Sequence, residues 1–288
     1  MKKFFILASA AIVALASCAK SEVVYNEAPQ KIAFKTLDMP MTKATYDQDL
    51  GVAAYYINTT TEYFGQTLFE LENGVWTGGQ YWPLSNALKF LAYGPYQESG
   101  VTMSATQLQA TDVASDLDFV YSYVDNQGNG YRKKEFEGNG VYMQMKHTKA
   151  KVVITVQTGD NEKVTKVELL NTPMTGDCTI AIPTEEITWS FTDADKKNVD
   201  FTSKDDIRHL VVPCAPTTIR ITYNSVNPVQ TGLTTDINLS SVILKDKEGN
   251  TVTGDWLPGY AYTYNISINS SQIVIHGQTT DWVEVSNN

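Results

Sequence analysis

Apolar side chains along this chain recur with period two far more often than with the period of a helix. In KIAFKT (31–36) Ile32 and Phe34 fall on one side and Lys31, Lys35 and the small residues around them on the other, the mark of a half-buried strand. The same reading predicts strands at GVAAYYI (51–57), ALKFLAY (87–93), GVYMQMK (140–146), KVVITVQ (151–157), KVELL (166–170), HLVVP (209–213), TIRITY (218–223), YAYTYNISI (260–268), QIVIHG (272–277) and DWVEV (281–285). Turn signals separate them: ENG at 72–74, DNQGNG at 125–130, EGNG at 137–140 and DKEGN at 246–250. One stretch, SATQLQATDVASDLDF (104–119), is read as a short helix. Many short strands with frequent turns predict an all-β chain built as sandwiches. The length admits one large sandwich and suits two better.

The N-terminus breaks this pattern. MKKFFILASAAIVALASC opens on Lys2 and Lys3, continues through an apolar or small run from Phe4 to Ala16, and ends in small residues. The run is short for a membrane span, and the three parts together describe a secretory signal peptide over 1–17. Leu15, Ala16, Ser17 and Cys18 match the lipobox of bacterial lipoproteins, so Cys18 is the expected first residue of the exported chain and the point of diacylglyceryl attachment. Two or more acyl chains anchor a protein firmly, at ~0.8 kcal/mol per buried methylene. Residues 18–30 then read as a flexible spacer. The alternative is an ordinary secreted protein with a cysteine at that place by accident.

Loss of 17 of the 288 residues leaves 271, and loss of Lys2 and Lys3 moves the net charge from −10 to −12. Such a surface argues against nucleic acid as a partner, because its binding needs clustered Lys and Arg. Cys178 and Cys214 are read as buried free thiols in preference to a disulfide, whose geometry sequence cannot supply.

Catalytic chemistry finds no motif. His147, His209 and His276 are the only histidines, and none stands at metal-ligand spacing. No GxSxG elbow is present. DNQGNG starts like a calcium loop, but Gln127 stands at its third position and Phe136 at its twelfth, where a bidentate Glu is required. No catalytic residue, metal or cofactor is expected. Trp76, Tyr81 and Trp82 could form an aromatic platform for sugars, since their rings offer flat apolar faces. The competing reading places them in the core.

Four stretches, taken together, resemble the fimbrillin family, the lipoprotein pilins of type V fimbriae in Bacteroidota. They are KIAFKT followed by MTKAT (41–45), WTGGQYWPLSNALKFLAYGP (76–95), MKHTKAKVVITV (145–156), and LPGYAYTYNISI (257–268) with the closing DWVEV. They span residues 31–285. The resemblance implies two tandem transthyretin-like β-sandwich domains, over 31–148 and 149–288. It implies an outer membrane lipoprotein at the cell surface, carrying palmitate-type acyl chains until it is processed, and then a place in the fimbrium among other fimbrial subunits. By resemblance, a trypsin-like or arginine-type protease matures such pilins. The processing loop of the family often carries arginine; here Lys43 stands at that point, in the polar stretch DMPMTKATYDQD (38–49). A cut there would remove the lipid together with the first strand. Ile32 and Phe34 would leave an open edge and an apolar groove, and a strand from a second subunit could fill it head to tail. A surface glycan-binding lipoprotein is the alternative.

Overall fold

The computed structural model describes residues 28–36, 46–133, 140–202, 208–269 and 272–282. The signal peptide, Cys18, most of the spacer and Lys43 lie outside the described residues. Strand is the dominant structure among the described residues. In the first half come β1 (Lys31–Thr36), β2 (Leu50–Tyr56), β3 (Glu62–Glu72), β4 (Val75–Tyr81), β5 (Leu88–Gly94), β6 (Val101–Ser104), β7 (Gln107–Val113), β8 (Val120–Val124), β9 (Val141–Met143) and β10 (Lys146–His147). The second half continues with β11 (Ala150–Thr158), β12 (Glu162–Pro173), β13 (Gly176–Ala181), β14 (Ile187–Ser190), β15 (Lys196–Asp200), β16 (Arg208–Val211), β17 (Thr218–Val226), β18 (Val229–Asn238), β19 (Leu244–Lys245), β20 (Thr251–Val252), β21 (Tyr260–Asn269) and β22 (Gln272–Asp281).

Eight strands of the first half form one sheet in the order β10-β8-β5-β2-β3-β4-β1-β9. Its two ends, β9 and β10, are neighbours in sequence, so the sheet curls round and encloses a core. Val52, Ala54, Phe69, Phe90, Ala92, Val120, Val141 and Met143 fill it. The expected strand GVYMQMK is therefore two strands: β9 pairs with β1 and β10 with β8, and Gln144 and Met145 link the two ends of the sheet.

The alternate residues of β2 and β5 face outward, yet Ala53, Tyr55, Leu91 and Tyr93 are buried too. They pack beneath a four-stranded sheet ordered β14-β13-β7-β6. A strand buried on both faces reads as a continuous apolar run, which is why LGVAAYY is apolar or small throughout. The expected helix over 104–119 is corrected here. Those residues close the β6–β7 hairpin and run on as β7, with Leu108 and Ala110 turned to this core. Helix propensity is a weak prior. It yields here to pairing of β7 with β13, in which Cys178 stands opposite Ala110 and Ile180 opposite Leu108.

The second half builds a sandwich from a six-stranded sheet, β16-β11-β21-β22-β19-β20, and a four-stranded sheet, β15-β12-β17-β18. Val152, Ile154, Leu169, Ile219, Ile221, Trp256, Tyr264 and Ile266 lie between them. The Trp256 indole N–H donates to the Tyr264 hydroxyl at 2.9 Å, which satisfies both polar tips inside the core. The β13–β14 hairpin, although it follows β12 in the chain, belongs to the first half's layers: Cys178, Ile180 and Ile182 share a core with Tyr93, Phe119 and Tyr121.

Candidate functional site: the seat of the first strand

The first strand lies inside the sheet and not at its edge. β1 pairs antiparallel with β4, with Lys31 opposite Tyr81, Ala33 opposite Thr77 and Phe34 opposite Trp76. On its other side it pairs parallel with β9, Phe34 opposite Val141 and Lys35 opposite Tyr142. The Trp82 N–H donates to the Gln30 carbonyl at 3.0 Å and extends the first ladder by one residue. Gly140 stands where β9 comes closest: a Cβ there would lie 2.8 Å from the Ala33 carbonyl oxygen, so this approach needs a residue without one.

Ile32 and Phe34 are both fully buried, as their alternation predicts. The Phe34 ring meets Phe69 and Phe90 edge to face, with centroids 5.0 Å away in each case. Phe90 meets Trp82 in the same manner at 5.8 Å. Phe34 is thus the hinge of an aromatic cluster drawn from β1, β3 and β5. Burial of a side chain of this size contributes roughly 1.5–3 kcal/mol, before the aromatic contacts are counted.

The proposed sugar platform takes a different shape from the one its sequence suggests. Trp76 and Trp82 are buried, and only Tyr81 is exposed, at 43 %. The Trp76 indole N–H donates to the Gln48 carbonyl at 2.9 Å, and Tyr46 tilts against its ring. The Tyr46 hydroxyl is itself buried, and desolvation raises its pKa well above the ordinary phenol range. The three aromatics therefore present no shared face to solvent; two of them line the seat of β1.

The three histidines stand apart. His147 stacks on Trp282, the His209 Nε2–H donates to the Asp200 carbonyl at 3.1 Å, and His276 lies exposed on β22. Among the described residues no group of three or more His, Cys, Asp or Glu side chains could hold a metal ion. Among those residues, too, no helix is long and apolar enough to cross a membrane. Cys178 and Cys214 are free thiols, and burial pushes the pKa of each up to about 12.

Sequence reasoning missed Lys149. Its side chain is fully buried, and its ammonium donates to the carbonyls of Ala114 at 2.6 Å, Ser115 at 3.4 Å and Met174 at 3.5 Å. It ties the β7–β8 loop to the turn between β12 and β13. Desolvation lowers its pKa to about 8. The surrounding MKHTKAK reads as a polar junction, so no local signal marks this lysine for burial.

A fimbrillin-like family model matches residues 40–282. The chain belongs to the fimbrillin-like family. No curated protein sequence matches it. Among solved structures, this fimbrillin-like chain is similar to a "putative cell adhesion protein" from Bacteroides uniformis, with 17 % identity, 88 % of this chain and 98 % of that one covered, and a TM-score of 0.59. It is also similar to a fimbrial protein from Bacteroides vulgatus, with 13 % identity, coverage of 88 % and 99 %, and a TM-score of 0.52. A third is the tip fimbrial protein Mfa3 from Porphyromonas gingivalis with a C-terminal truncation, with 12 % identity, coverage of 88 % and 100 %, and a TM-score of 0.50. At these identities the likeness is one of fold, and it runs over nearly the whole of each relative.

Proposed function

We propose that this fimbrillin-like chain is a structural subunit of a surface fimbrium, without enzymatic activity, that assembles by exchange of its first strand. It is exported as a lipoprotein anchored in the outer membrane through Cys18, and a protease then cuts after Lys43. Residues 31–148 and 149–288 act as two sandwich units, the second lending its 176–190 hairpin to the first.

One observation carries the reading: β1 is an interior strand whose covalent connection to the rest of the fold runs only through residues 37–45. Cutting there leaves β1 held by contacts alone. Its departure strips β4 and β9 of a shared partner and empties the pocket of Ile32 and Phe34, between Phe69, Trp82 and Phe90. An extended segment of another subunit can restore both ladders and refill the pocket with alternate side chains. The contact is head to tail, so it propagates.

The test uses the full precursor in membranes. Cys18→Ala should abolish palmitate labelling and release the chain. Lys43→Ala should keep it monomeric and anchored, while trypsin-cut wild type should form concentration-dependent, SDS-resistant ladders. Cut protein that stays monomeric at high concentration, beside a Lys43→Ala protein that assembles, would refute strand exchange.

A further inference from the structure

Four side chains at one end of the β21–β22 ladder share a face. Tyr262 stands opposite Thr279, and Tyr260 stands opposite Asp281. Alternate residues of a strand point the same way, so both pairs lie on the face that Tyr262 turns to the core of the second sandwich. The inner pair is buried. The outer pair lies beyond the core, with Asp281 exposed and Tyr260 38 % exposed. Together the four line a cavity of about 330 Å³, walled by Val252 and Leu257 and rimmed by the turn that follows β19.

The polar groups of this cavity are unevenly matched. The Tyr262 hydroxyl is satisfied: it accepts from the Leu257 N–H at 2.8 Å and donates to the Asp255 carbonyl at 3.3 Å. The Thr279 hydroxyl is not. Thr279 is only 5 % exposed, and its hydroxyl oxygen has no hydrogen-bond partner. Most buried hydroxyls have one. A donor entering the cavity would supply it. Charge is unbalanced as well. Asp246, Glu248 and Asp281 line the cavity against the single ammonium of Lys247, which lies 3.7 Å from Glu248. Asn250 donates to Asp246 from its backbone N–H at 2.7 Å and its side-chain amide at 2.9 Å, which holds that carboxyl below the usual range and keeps it charged. The Asp281 carboxylate bonds to no described residue.

We infer that this cavity holds an arginine side chain presented by a partner polypeptide. A guanidinium is planar, permanently charged and rich in donors, and it stacks on aromatic rings. Laid on the exposed Tyr260 ring, it faces Asp281 directly across the ladder, where Cβ atoms stand about 5 Å apart. Its fork meets that carboxylate, a remaining N–H reaches inward to the Thr279 hydroxyl, and its stem covers Leu257. The compact ammonium of a lysine cannot stack and reach both. A free carboxylate on the same residue would face Asp246 and Glu248, so the arginine stands within a chain and not at its C-terminus. The site is built from residues 246–281 alone and does not depend on exchange of the first strand.

The experiment is a titration of the full chain, carrying Cys18→Ser to remove the acylation site, with an acetylated and amidated Gly-Arg-Gly peptide, followed by the backbone amide signals. Amides of 257–262 and 279–281 should shift, with a Kd on the order of 1 mM. The same peptide with citrulline, which keeps the shape and loses the charge, should bind about tenfold more weakly. Asp281→Asn alters an exposed side chain and should weaken the arginine peptide about fivefold. Thr279→Val should leave the Tm unchanged or raise it, because the hydroxyl it removes is unpartnered, and should weaken the peptide about threefold. Equal binding of the citrulline peptide would overturn the inference, as would arginine binding that neither variant weakens. Shifts at these amides with methyl galactoside but none with the arginine peptide would mark a saccharide site and overturn it too. Signals that stay in place throughout the arginine titration would do the same.

Discussion

The Phe34 ring stands edge-on to the Phe90 ring, 5.0 Å between centroids and 80° between planes. One ring belongs to the first strand and the other to a strand that starts 52 residues after it, from Lys31–Thr36 to Leu88–Gly94. The contact welds β1 to the middle of the sheet through the core and not only through its ladders. Truncation to Phe34→Ala should cost about 3–5 kcal/mol in the uncut chain, because it removes the transfer term and leaves a cavity between Phe69, Trp82 and Phe90. Urea denaturation measures it, and a loss below about 1 kcal/mol would show that the pocket collapses without Phe34.

Gly140 offers a probe of the same strand from its other side. A methyl group at this position runs into the Ala33 carbonyl, which is backbone and cannot swing away. Gly140→Ala should therefore push β9 off β1 and cost about 1–3 kcal/mol, as overpacking does. The damage should be local. Hydrogen exchange should quicken at the amides shared by β1 and β9 while those of β21 and β22 keep their protection. Uniform loss of protection across the molecule would mean that the β1–β9 contact is coupled to the whole fold.

Lys149 makes stability depend on pH with a definite sign. Its pKa falls from 10.5 in the unfolded chain to about 8 in the fold, so above pH 8 the native state releases a proton that the unfolded state still holds. Stability then rises with pH across 8 to 10.5. Cys178 and Cys214 act in the opposite direction from pH 9 upward, since burial raises each thiol to about 12. Tyr55, Tyr93 and Tyr264, also raised to about 12 by burial, join them above pH 10. The difference between wild type and Lys149→Met isolates the lysine. Between pH 7 and 9 the wild type should gain roughly 1 kcal/mol relative to the variant. Parallel pH profiles for the two proteins would rule out the buried ammonium.

Residues that bury alternate or continuous apolar positions were legible in the sequence. KIAFKT and YAYTYNISI read as strands, and β1 and β21 occupy them. Strands without regular apolar alternation were not. β3, EYFGQTLFELE, spaces Phe64, Leu68, Phe69 and Leu71 unevenly and pairs with β2 through register shifts, and β18, VQTGLTTDIN, is an edge strand with no fully buried side chain. Both are strands because their backbones are paired with β2 and β17, and pairing leaves no trace in a segment's own polarity.

By itself the sequence determined the all-β character, because period-two alternation of apolar side chains is a local property that each segment carries alone. It also determined the turns: Asn73 and Gly74 take positive φ of 52° and 77° between β3 and β4, a conformation that Asn and Gly adopt at low cost. The tertiary structure alone decided which strands share a sheet. It set β1 between β4 and β9, gave the 176–190 hairpin to β7, and brought Trp282 onto His147. Each of these joins segments far apart in the chain, and the free energy of each comes from burial and backbone pairing that exist only once both partners are in place. The burial of Lys149 is of the same kind. Its three carbonyl partners come from residues 114, 115 and 174, so nothing near residue 149 in the chain could announce them.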